Sequence, residues 1–156
     1  MRRENFITLS IVCAALALSG CTKNAIDGLE TTAIRPIAQD ISQSDLALGK
    51  MQFRDANYGL AEKHFRKAVE LRAANAEAWM GLAASYDQLR RFDFADRAYD
   101  QLLKVAGRKP EIVNNMGYSQ LLRGDNKKAR ELLNEARKHM SDTTVVDANL
   151  ALLNKA

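Results

Sequence analysis

The chain has 156 residues, 47% of them hydrophobic and 27% charged, with 2 Pro and 8 Gly, so it lies in the globular range and disorder throughout is excluded. One body of this length buries a core without metal or disulfide staples, and its abundance of Ala, Leu, Arg, Lys, Glu and Gln disfavours an all-β fold. The net charge of +4 is not gathered in one long block and names no partner, and both cysteines, Cys13 and Cys21, precede position 22, so the rest stands on packing alone.

In chain order, Met1 is followed by Arg2 and Arg3, an uncharged and largely apolar run from Asn5 to Leu18, and then Ser19, Gly20 and Cys21. This charged, apolar, small-residue order is that of an export signal. The run is shorter than the roughly 20 apolar residues that span a bilayer, which makes a permanent transmembrane helix the weaker reading. Leu18-Ser19-Gly20-Cys21 resembles the bacterial lipobox, where the Cys thiol is joined to diacylglycerol and the signal is cut just before it. The resemblance implies a lipoprotein signal peptide over 1–20 and Cys21 as the lipidated first mature residue; a plain secretory signal with an incidental Cys is the alternative. Two or three acyl chains anchor stably, at about 0.8 kcal/mol per buried methylene. Cleavage removes Arg2, Arg3 and Glu4, takes the charge from +4 to +3, and leaves nucleic acid an improbable ligand outside the cytoplasm. Thr22 favours the outer membrane by analogy with enterobacterial sorting, with the inner membrane left open. Residues 21–41, with Gly28, Thr31, Thr32, Pro36 and Ser42 breaking any helical period, read as the lipidated Cys and a flexible tether, whose roughly 20 residues reach about 25 Å.

From there the sequence matches itself at a step of thirty-four. Ala61, Ala95 and Ala129 form one column; others are Phe65, Tyr99 and Leu133; Gly49, Ala83 and Gly117; Leu48, Leu82 and Met116; and Ala68, Leu102 and Ala136. Each unit reads as two antiparallel helices, in which the small columns let backbones approach and the bulky columns fill the space around them. Leu60, Phe65, Ala68 and Leu71 recur at helical spacing, with Glu62, Lys63, Arg66 and Lys67 on wet faces. Turns are expected at Asp55-Ala56-Asn57, Arg91-Phe92-Asp93 and Gly124-Asp125-Asn126. The units span 42–75, 76–109 and 110–143. A seventh helix over about 142–155, capped by Ser141 or Asp142 and striped with Val145, Val146, Leu150 and Leu153, is expected to cover the last one.

The period and the columns resemble the tetratricopeptide repeat. Trp79, Leu82, Ala83, Tyr86, Ala95 and Tyr99 carry the likeness in the second unit; Met116, Gly117, Gly124, Ala129, Leu133 and Ala136 carry it in the third. The first unit keeps Leu48, Gly49, Ala61, Phe65 and Ala68 but has Asp45 where Trp belongs, and Ala73 and Gly107 stand where Pro usually closes a unit. The resemblance implies an all-α, right-handed superhelix of three helix-turn-helix repeats plus a C-terminal capping helix, with a concave groove.

No catalytic constellation is visible. His64 and His139 sit amid surface-like charge, and there is no Walker loop, Gly-x-Ser-x-Gly elbow, His-Glu-x-x-His pair or CxxC, so neither an enzyme, a metal site nor a cofactor is expected. Trp79 reads as core more readily than as a ligand contact. The Lys127-Lys128-Arg130 and Arg137-Lys138 clusters read as solvated faces, with an anionic lipid or acidic partner as the alternative.

By the same resemblance, function lies on the groove face of the first helices. The candidate partner-binding residues are Lys50, Phe53 and Arg54; Met80, Ala84, Asp87 and Gln88; and Asn114, Tyr118 and Leu121. Such a mixed face suits a peptide segment, although Phe53, Met80 and Leu121 equally suit packing between repeats. The Lys and Asn clamp with which some of these domains grip a C-terminal carboxylate is missing at Leu46, Lys50, Met80, Ala84, Asn114 and Tyr118. Anchor, tether and repeats together resemble the TadD-type lipoproteins of the tight adherence (Flp/Tad) pilus system. That implies a non-enzymatic scaffold at the periplasmic face of the outer membrane, holding a pilus secretin or another assembly component and no small-molecule substrate. A pilotin for a different secretin, or an assembly lipoprotein for outer-membrane barrels, is the alternative.

Overall fold

The computed structural model describes residues 42–155, all of which fall in one compact unit; the signal, Cys21 and the tether lie outside the described residues. Seven helices follow one another among the described residues: α1 over 42–54, α2 Tyr58–Leu71, α3 Ala76–Gln88, α4 Phe92–Ala106, α5 Pro110–Arg123, α6 Asn126–His139 and α7 Thr144–Leu153. No strand occurs among the described residues.

Helix ends have identifiable chemistry. Asn75 and Asp125 cap α3 and α6 through side-chain oxygens that accept from the amides of Ala78 and Lys128 at 3.0 Å. Pro110 opens α5, where its missing N–H costs nothing. One turn position recurs with the repeat: Ala56, Arg90 and Gly124, thirty-four residues apart, have φ of 58°, 56° and 85°. Only the third unit puts glycine at this left-handed position.

Sequence neighbours pack as hairpins, and α3 touches α5 as α5 touches α7, whereas α2 and α4, or α4 and α6, do not pack on each other. The odd-numbered helices therefore form the tighter inner layer, and the even-numbered ones are splayed outside it. Such unequal spacing bends a stack toward its inner layer and makes that side concave.

The columns hold the hairpins together. Ala61, Ala95 and Ala129 have no exposure at all. A Cβ added to Gly49 would lie 2.8 Å from the Phe65 ring, and one on Gly117 would lie 2.8 Å from the Leu133 side chain, so a larger residue at either would force those neighbours to shift. The core forms two clusters, one of α1 to α4 with Ile112 and one of α5 to α7, and Met116 packs against both.

Several local expectations change. Ser42 is not a breaker but the first residue of α1, buried, with its hydroxyl donating to the Ala68 carbonyl at 3.3 Å. On α2, Leu60 is exposed, whereas Glu62 is buried and accepts from the Tyr86 hydroxyl at 3.2 Å. The second turn lies on Leu89, Arg90 and Arg91, and Phe92 and Asp93 already belong to α4, because the positive φ of Arg90 ends the preceding helix. Leu48 is 37% exposed while its column partner Leu82 is 4% exposed, because Leu82 packs against a preceding hairpin and Leu48 begins the first one. Val145 is 58% exposed; Val146, Leu150 and Leu153 alone make the covering stripe of α7. Of the two caps expected for α7, Asp142 supplies the bond: its Oδ1 accepts from the Thr144 amide at 2.9 Å, which holds its carboxyl below the ordinary pKa, while Thr143, the residue before α7, makes no side-chain cap.

Candidate functional site

The inner layer carries two recesses that share Phe53 and Ala84. The first, about 590 Å³, lies between α1 and α3; the second, about 260 Å³, lies where α3 meets α5. Lys50, Phe53 and Arg54 from α1 face Met80 and Ala84 from α3 across the first. Asp87 and Gln88 from α3 and Tyr118 from α5 line the second. Phe53 and Met80 serve in both of the ways their sequence positions allow, since they also pack against the core.

Asn114 and Leu121 border neither recess. Asn114 is 4% exposed, accepts from Nδ2 of Asn149 on α7 at 3.0 Å, and donates to Oδ1 of Asn115 at 3.3 Å. Leu121 packs into the cluster of Val113, Leu133 and Val146. The seventh helix thus closes the groove register of the third unit and takes these two candidates into the packing.

Charge along the groove is uneven. Lys50 Nζ lies 2.6 Å from Oε1 of Glu77, an exposed pair that bridges α1 and α3 over the rim. Arg54 has no carboxylate partner among the described residues. Asp87 is buried and does not present a free carboxylate: Oδ1 accepts from Ser119 Oγ at 2.6 Å and Oδ2 from the Tyr99 hydroxyl at 2.9 Å. Burial raises its pKa, and the bonds from Ser119 and Tyr99 oppose the rise. Burial, followed by the neighbouring Asp87 charge, pushes the Tyr99 phenol well above its usual range. Beyond Ser119, Arg123 donates to its Oγ at 3.1 Å and forks onto Asp96 at 2.8 and 2.6 Å, which joins α3, α4 and α5 in one polar network.

Sequence reasoning missed the floor of the groove. Phe65, from the outer helix α2, lines the first recess because Gly49 and Gly81 have no Cβ to stop it. Tyr99, in the same column, lines the second and approaches the Asn115 carbonyl at 3.3 Å. Asn115 lines the second recess too and reaches back to Met80 Sδ at 2.8 Å, the same step by which Asn149 reaches Asn114. The signal was the register of Gly81, Asn115 and Asn149, thirty-four residues apart, which emerges once α7 is counted as the first helix of a further unit.

The remaining candidates take structural places. His64 Nδ1 lies 2.8 Å from Asp45, so the residue in the Trp column of the first unit is tied to α2. His139 is exposed. Trp79 is half-buried against the first core cluster and donates Nε1–H to the Ala73 carbonyl at 2.8 Å. Among the described residues no group of three or more His, Cys, Asp or Glu could hold a metal, and no helix is long and apolar enough to cross a membrane.

The structure superposes on the tetratricopeptide-repeat domain of Arabidopsis OM64 with a TM-score of 0.66 at 16% identity, over 76% of this chain and 98% of that one. The fold is a tetratricopeptide-repeat superhelix. The same repeat architecture matches Pseudomonas aeruginosa PilF with a TM-score of 0.63 at 23% identity, over 76% of this chain and 54% of PilF. No protein-family model matches the sequence, and no curated protein matches it significantly.

Proposed function

We propose that the chain is a non-enzymatic, membrane-anchored scaffold whose concave groove holds a protein partner. The observation that carries this reading is the pair of adjoining recesses on the inner layer, built from successive repeats: the first mostly apolar under a charged rim, the second bordered by amides and hydroxyls beside Phe53 and Ala84. Groove carboxylates are already engaged, Asp87 with two hydroxyls and Glu77 with Lys50, and so are not gathered for acid or base work. Apolar recesses rimmed with amides and hydroxyls suit a polypeptide segment.

The order Arg2-Arg3, apolar run, Leu18-Ser19-Gly20-Cys21 supports export and lipid attachment at Cys21, and Thr22 supports the outer membrane as destination. The segment between Cys21 and α1 would let the repeats stand off the bilayer at its periplasmic face. Whole-chain organisation supports a role in tight adherence pilus assembly, with a secretin subunit or another assembly component as partner.

Two measurements test the reading together. Labelled palmitate should enter the wild-type chain and not Cys21→Ser, which should leave the membrane fraction; a Cys21→Ser chain that is processed and fractionates as wild type contradicts the anchor. Affinity purification from detergent-solubilised envelopes should recover pilus assembly proteins, and recovery of barrel-assembly proteins without any of them contradicts the pilus role.

A further inference from the structure

We infer that the groove reads its partner by polarity and direction: it takes a segment with an apolar stretch bearing a carboxylate at one end and uncharged hydrogen-bonding side chains at the other. The inference deepens the proposed use of the groove and rests on it.

The two recesses differ at one repeating position. Phe65 and Tyr99 come from equivalent places on α2 and α4, and each reaches through to the groove floor. Phe65 offers only a ring, with Leu46, Met80 and Phe53 around it. Tyr99 brings a hydroxyl held by Asp87 and the Asn115 carbonyl, and its recess is bordered by the side chains of Gln88, Asn115 and Tyr118. A polar side chain laid over Phe65, inside the charged rim, loses its water without a partner, and an apolar one laid over the second recess strips water from Gln88 and the Tyr118 hydroxyl, the Tyr99 and Asn115 groups being bonded within the protein. Reversing a segment incurs both penalties.

Charge decides the chemistry at the apolar end. The first recess is bordered by Lys50, Arg54 and Glu77; Lys50 and Glu77 neutralise each other, which leaves Arg54 as the charge unmatched among the described residues. A partner carboxylate there forms the fork that a guanidinium favours, while a partner cation meets repulsion.

The test selects random peptides displayed on phage against the immobilised full chain, followed by binding measurements on synthetic copies of the selected peptides. Ala47→Trp is the blocking variant, because Ala47 is exposed yet lines the first recess, so the indole fills it without entering the core. Selected segments should carry an apolar cluster with Asp or Glu at one end and Asn, Gln, Ser or Thr at the other. Ala47→Trp and sequence reversal should each weaken binding about tenfold, and Arg54→Glu about three- to tenfold. Basic segments, or segments that bind equally when reversed, overturn the inference. Binding lost in Tyr118→Arg but untouched by Ala47→Trp overturns it while leaving the groove in use, and binding untouched by either overturns the groove reading as well.

Discussion

Ala56 and Arg90 hold the left-handed backbone that Gly124 adopts freely, at φ of 58° and 56°. That conformation costs an L-residue about 1–2 kcal/mol, partly offset in glycine by about 0.5–1 kcal/mol of unfolded-chain entropy. Ala56 is exposed, so Ala56→Gly should stabilise the chain by about 0.5–1 kcal/mol in urea denaturation, and a loss of stability would show that the turn is not under strain. Gly81 has the opposite requirement: a Cβ there overlaps the Phe65 ring, and Phe65 is too deeply buried to move aside. Gly81→Ala should cost about 1–3 kcal/mol, and less in a Phe65→Leu background, where the double-mutant cycle reads the clash directly. Asp87 sets a pH dependence. Because burial raises its pKa, the folded chain holds its proton more tightly than the unfolded chain. The resulting stabilisation is full below the unfolded pKa and is lost as pH rises through the folded one. Asp87→Asn removes this group's contribution, so the stability difference between Asn and wild type should grow in favour of Asn as pH rises through that window. A difference that stays flat with pH would contradict the raised pKa.

Among elements, α7 has the clearest separate task. It seats Val146 and Leu153 on α5 and α6 and bonds Asn149 to Asn114, so it finishes the second core cluster. Val146→Asp should place an unpaired charge in that cluster and increase amide exchange across α5 to α7 more than across α2 to α4. Uniform loss of protection would mean that the two clusters do not open separately. The helices and their pairing were legible because a tandem repeat states its internal packing several times: three alanines in register, two glycines and an alanine opposite bulky residues. Chain ends are stated once. Leu48 repeats the column of Leu82 with no preceding hairpin among the described residues to cover it, and Val145 looks like stripe until α7 is turned so that Val146 faces inward. The candidates on α1 and α3 and Tyr118 on α5 border the recesses, whereas Asn114 and Leu121 do not, since their packing could be seen only with α7 in position. The groove floor was hidden for a different reason. Phe65 and Tyr99 belong to the outer helices; the gap left by Gly49 and Gly81 lets the Phe65 ring reach the opposite side, and Tyr99 reaches it beside the Asn115 carbonyl.

For the repeat body as a whole, the inner helices touch and the outer ones splay, which gives a curved inner surface carrying the two groove recesses; two further recesses of about 400 Å³ each are lined from α2, α3 and α4 and from α4, α5 and α6. No single hairpin has such a recess; each of the two in the groove is bordered by helices from successive units. The central claim is that this curved inner surface, and not the outer layer, meets the protein partner. Photo-crosslinking in intact cells tests it most directly, with a light-activated side chain placed in turn at Ala47 and Ala84 in the groove and at exposed Val105 on the outer helix α4. The account predicts one discrete adduct of the same partner from both groove positions and none from position 105. The same adduct from position 105, with the groove positions silent, would contradict it.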